Sequence, residues 1–226
     1  MRSKIFAYAI LNVKSLIKDK IPFVWSVLLP LIMLVINTNN IQHEKDITYW
    51  WIYMILCSYI YGIGIYALEL NEEGCLRTIF SIDNSSINFF LGNLLTQIIF
   101  SFISIGVFNI VVIIIKEFSL TKITLYTIEC IILCLPFAFL GYGLTLLKTV
   151  HVNSIRAIFT ILIFGMFMLI NTDLSIKLYN PIYYISNFIT NNNDKSIIFY
   201  IIFTLIAVVI GTIGIFCFDP NSNERR

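Results

Sequence analysis

From Ile87 to Ile115 the chain carries no charged side chain, and this run constrains the fold more than any other feature. A segment that long without charge has no face to offer water, so its solvent is lipid. The rest of the chain follows suit. Hydrophobic residues make up 58% and charged residues 12%, where a soluble domain has about a quarter charged. The length suits one bundle and leaves no room for a separate soluble domain. A net charge of +2 is too small to argue for nucleic acid.

Hydropathy predicts an all-α membrane protein with six transmembrane helices, over about 22–36, 49–70, 87–115, 123–147, 157–170 and 197–218. Tyr49, Trp50 and Trp51 read as an aromatic belt at the start of the second span. Pro136, Gly141 and Gly143 are expected to bend the fourth. Residues 1–20 form a separate amphipathic unit ahead of the six-span remainder, 21–226. There Ile5, Phe6, Ala9, Ile10, Val13, Leu16 and Ile17 recur at helical spacing among Arg2, Lys4, Lys14, Lys18 and Lys20. Such a helix lies in the membrane interface with its lysines near anionic lipid head groups. The other reading makes it an extension of the first span.

Charge sets the orientation. One side holds ten basic residues: Arg2, Lys4, Lys14, Lys18, Lys20, Arg77, Lys148, Arg156, Arg225 and Arg226. The other holds five: Lys45, Lys116, Lys122, Lys177 and Lys195. The richer side is cytoplasmic, which puts both termini inside, as six spans require. Cys57, Cys75, Cys130, Cys134 and Cys217 form no CxxC pair and read as small apolar fillers.

The loop after the second span is the most informative one. Leu76, Ile79 and Phe80 stand at i, i+3 and i+4, one face of a short helix over about 72–82, with Glu72, Glu73 and Gly74 at its start and Arg77 within it. Carboxylates are favourable near a helix N-terminus. The helix could lie flat on the membrane and offer a face to a cytosolic partner; the alternative is a solvated loop. Glu129 is a carboxylate within a span, a polar point on a substrate route or a structural hydrogen bond near the membrane edge. Asn109 is a lesser candidate of the same kind, with a helix–helix hydrogen bond as its alternative.

These segments resemble the permeases of ABC-2-type transporters. That family carries an E-x-G-T-L-like segment in this loop and a G-K pair entering the third span; here stand Glu72/Glu73-Gly74-Cys75-Leu76 and Leu91-Gly92-Asn93-Leu94. The N-terminus is similar too, with its basic helix, Lys18-Asp19-Lys20, then Phe23, Trp25 and Pro30. So is the outer stretch 171–196 with Asn180-Pro181-Ile182-Tyr183-Tyr184, like the family's short external helices. Cys75 replaces the usual Thr, Asn93 the usual Lys, and Asp83-Asn84 stand where Pro is common.

The resemblance implies a coupling helix at about 72–82 that docks on a separate ATP-binding cassette subunit. It implies a bacterial plasma-membrane exporter that is no enzyme itself. No P-loop is present in this sequence, so the partner would bind ATP and magnesium. A second permease, identical or related, would complete the route. The substrate is expected to be amphipathic, peptide-like or lipid-like, and the small size is similar to bacteriocin or lantibiotic immunity exporters. No catalytic, cofactor-binding or metal residue is expected.

Two rival readings stand beside it. Glu72-Glu73-x-x-x-Arg77 matches the E-E-x-x-x-R signature of CAAX-processing and bacteriocin-processing intramembrane proteases, which need histidines on later spans; here His43 lies on the other side and His151 lacks the family's spacing. The substrate-binding subunit of a vitamin importer also has about six spans.

Overall fold

The computed structural model describes residues 5–10, 12–13, 20–82, 85–147, 150–170, 180–191 and 194–218. Outside these lie Arg2, Lys4, Lys14, Lys18, Asp19, Asp83, Asn84, Lys148, Lys177, Arg225 and Arg226, and part of the external stretch at 171–179. The side chains of Phe23 and Trp25 lie outside them as well.

Every regular element among the described residues is helical. Residues 5–10 and 12–13, near the N-terminus, are helical. Then come α1 (Lys20–Ile36), 3-10 turns at Thr38–Asn40 and Glu44–Ile47, and α2 (Thr48–Tyr59). A π-helical stretch, Ile60–Ile65, runs from α2 into α3 (Tyr66–Glu72). The short α4 (Cys75–Ile82) precedes α5 (Ser86–Lys116), α6 (Leu120–Leu133) and α7 (Leu135–Gly143). The chain closes with α8 (Val152–Leu169), α9 (Pro181–Asn191) and α10 (Asp194–Cys217).

Five helical stretches among the described residues are long and apolar enough to cross a membrane: Glu44–Glu72, Ser86–Lys116, Leu120–Leu146, Val152–Leu169 and Asp194–Cys217. They match the expected second to sixth spans. The expected first span corresponds to α1, whose described apolar part, Val27–Ile36, is shorter than the roughly 20 residues a crossing needs.

Local chemistry explains the breaks. Pro136 has no amide hydrogen and its ring crowds the carbonyl four residues back, so the fourth span divides at Cys134 between α6 and α7. Ser85 caps α5 by accepting from the Asn88 amide at 3.3 Å. Glu117 ends that helix in the left-handed region at φ 55°.

The second span is the centre of the bundle. It packs against α1, α5, α6, α8 and α9, and α7 crosses its π-helical stretch. Gly64 there meets Gly141 of α7 backbone to backbone, leaving no room for a side chain; small residues permit this close approach between membrane helices. Outer faces of α5, α6, α8 and α10 expose Ile103, Ile110, Leu125, Ile161 and Phe216, as lipid-facing surfaces do. The aromatic-belt reading of the second span is corrected. Trp50 and Trp51 are 1% and 0% exposed, because a central helix is covered on all sides. Tyr49 is half-buried against Trp50 and Phe167.

Candidate functional site

The end of the bundle that carries α4 gathers most of the polar contacts expected to matter. Glu73 is the C-cap of α3, and Gly74 follows in the left-handed region at φ 75°, which only glycine adopts freely. A side chain at Gly74 would meet open space, so its backbone angle, not crowding, calls for glycine. Beyond this turn α4 begins at Cys75, three residues later than the expected start. Leu76 and Phe80 are buried, Ile79 is half-buried, and Arg77, Thr78 and Ser81 are exposed. Glu73 is exposed beside the Cys75 thiol, which donates to its carboxylate at 3.9 Å.

The apolar face of α4 is therefore occupied by this chain itself. Phe80 sits 5.9 Å from Phe89 and 6.1 Å from Phe218, ring centre to ring centre. Phe218 reaches Tyr142 at 5.5 Å, and Tyr142 reaches Phe90 at 5.1 Å. This corrects the expectation that Leu76 and Phe80 are held out toward a partner. Phe80 seats α4 on α5 and on Phe218 just past α10, which in turn meets Tyr142 of α7, while Leu76 is buried and a polar face is left outward.

Glu72 also has a different place from the expected one. It ends α3 and points across to the start of α8. Its Oε1 is 3.0 Å from His151 Nδ1, and its Oε2 accepts from the Val152 amide at 3.3 Å. The carboxylate thus serves the N-terminus of α8, where negative charge and an acceptor are both favoured. One turn earlier, Glu69 accepts from the Arg156 guanidinium at 2.6 Å. The sequence reading weighed His151 against the protease motif and counted Arg156 toward the orientation, without pairing either with Glu72 or Glu69; the available signal was opposite charge at the ends of the second and fifth spans.

The N-terminal helix docks nearby. Asn12 donates to Asn93 and accepts from the Tyr66 hydroxyl at 3.1 Å, while Thr96 donates to the Ala9 carbonyl at 3.3 Å. Ala9 and Asn12 are buried against the bundle, whereas Phe6 and Ile10 are each 57% exposed. Asn93 is thus part of a buried clasp.

The two in-span candidates are not brought together. Asn109 is buried and bridges three helices: it accepts from the Trp51 indole at 2.7 Å and donates to Thr127 at 3.0 Å. Glu129 is exposed on the outer face of α6. Gln97 makes a second buried bridge that the sequence reading passed over, accepting from Ser58 at 3.0 Å and donating to the Gly62 carbonyl at 3.3 Å.

At the opposite end of the bundle, α9 caps the helices. Asn180 donates to the Met166 carbonyl at 2.6 Å and accepts from the Ile182 amide at 3.0 Å, fixing the start of α9. The Lys45 ammonium donates to the Thr190 carbonyl at 2.9 Å. Between them lies an open cleft of 630 Å³, lined by Asn40, His43, Asp46, Tyr49, Ser186 and Thr190 among others. Among the described residues no His, Cys, Asp and Glu cluster could hold a metal ion. In comparisons with known proteins, no family model, curated protein or solved structure matches this chain.

Proposed function

We propose that this chain is the membrane-spanning subunit of an ATP-driven exporter of the ABC-2 type. The observation that carries the reading is α4, a short helix seated on the bundle by Leu76 and Phe80 and turned outward by Arg77, Thr78 and Ser81. A separate ATP-binding cassette subunit, holding ATP and magnesium, docks on that polar face. Closure of the ATPase displaces α4, and the rings of Phe80, Phe89, Phe218 and Tyr142 pass the displacement to α5, α7 and α10. In this reading α1 is the first of six spans and both termini are cytoplasmic. The N-terminal helix lies in the interface through Phe6 and Ile10. A second permease, identical or related, completes the route for an amphipathic substrate. The setting is a bacterial plasma membrane.

One observation favours the protease reading: Glu72 and His151 are adjacent at 3.0 Å. A glutamate that activates water needs an oxygen free to hold it. Here one oxygen faces His151 and the other takes the Val152 amide, so the pair is better suited to capping. His43 is at the other end, in the cleft beside α9.

The test is co-purification in mild detergent with mass-spectrometric identification of what comes with the chain. An ATP-binding cassette subunit is expected. Peptide cleavage by the chain alone, lost in Glu72→Gln, would overturn the exporter in favour of the protease.

A further inference from the structure

We propose that Glu129 binds the cationic head of a membrane-dissolved amphipath, such as a long-chain alkylammonium compound. This names a substrate class for the exporter and rests on that reading for its purpose; the binding chemistry stands by itself.

Glu129 sits on the outward face of α6, and Leu125, Ile128 and Ile132 around it are 67%, 44% and 57% exposed. It lies about 10 Å along the helix from Lys122, seven residues at 1.5 Å each. Lys122 is engaged elsewhere, 3.7 Å from Glu44. Among the described residues Glu129 takes part in no salt bridge.

A charged carboxylate inside the hydrocarbon costs at least about 2.5 kcal/mol unless a countercharge or a proton meets it. Among the described residues none offers a countercharge at that depth. Every Lys, Arg and His lies outside the five spans or within five residues of a span end. A second copy brings the same side chains, so its described residues supply no cation there either. Without a ligand a proton neutralises Glu129; a cation dissolved in the same layer can take that proton's place. An alkylammonium compound fits: its head pairs with the carboxylate and its tail lies along Leu125 and Ile132. An anionic or uncharged amphipath of the same length gains nothing from Glu129.

The experiment uses the full chain in phosphatidylcholine nanodiscs without any ATPase, and dodecylammonium as the probe. Equilibrium binding of radiolabelled dodecylammonium should weaken by about tenfold or more in Glu129→Gln and survive in Glu129→Asp. On the unaltered protein, dodecylammonium should protect Glu129 from modification by dicyclohexylcarbodiimide, and dodecyl sulfate should not. This second readout needs no variant to fold. Equal binding by Glu129→Gln, protection by both amphipaths alike, or disulfide cross-linking of two copies through Ile132→Cys would each overturn the proposal. Since no ATPase is present, such a failure leaves the exporter reading to its own co-purification test.

Discussion

The carboxylate of Glu72 joins the end of one membrane helix to the beginning of another, facing His151 Nδ1 at 3.0 Å and the Val152 amide at 3.3 Å. It is a cap supplied from 80 residues away rather than from the residue before the helix. The Gly74 turn and α4 leave α3 directly after it, so the cap also fixes where α4 departs from the bundle.

Glu72→Ala should therefore lower stability as a lost cap does, by about 0.5–2 kcal/mol. Thermal unfolding in detergent measures it. The adjacent Glu73→Ala, an exposed side chain at the turn, should change stability by no more than about 0.5 kcal/mol. Equal losses from both would mean that Glu72 is not a cap.

The two faces of α4 should separate in one preparation. Phe80→Ala removes a ring from the cluster with Phe89 and Phe218 and should cost about 3–5 kcal/mol of stability, as buried aromatic truncations do. Under the exporter reading, Arg77→Glu, on the exposed face, should weaken association with the ATPase by about tenfold, the range of one interfacial residue. Normal ATPase binding by Arg77→Glu would put the docking surface elsewhere.

Asn109→Leu should destabilise the bundle. It abolishes the bonds to Trp51 and Thr127, each worth about 0.6–2 kcal/mol between membrane helices. Under the exporter reading, transport should fall in step with abundance in the membrane. Transport lost at full abundance and unchanged melting would instead make Asn109 part of the substrate route.

Topology gives a further test. In a background without native cysteines, Asn39→Cys should react with an impermeant maleimide added outside cells, and Thr78→Cys should react only after permeabilisation. Both side chains are exposed, at opposite ends of the bundle. Labelling of both from outside contradicts the charge-based orientation.

Much of the fold could be read from hydropathy, because lipid imposes long runs free of charge. The division at Pro136 was legible for a covalent reason, the missing amide hydrogen. The fate of Trp50 and Trp51 was not. The second span is apolar all round, so no periodicity marks which rings face lipid and which face helices. The face of α4 was legible but its occupant was not: Leu76, Ile79 and Phe80 announce something apolar opposite them without saying whether it is the same chain. Glu72 shows the remaining gap. Its partners follow from how the helices stand side by side, which spacing along one chain does not encode.

The thiols described above have a practical consequence. Cys57, Cys130 and Cys134 are sealed inside the helices, whereas Cys75 stands exposed at the turn into α4. With Cys217 replaced, the chain needs no engineered handle. A fluorophore on Cys75 would report, in real time, any motion of the surface on which an engine would push.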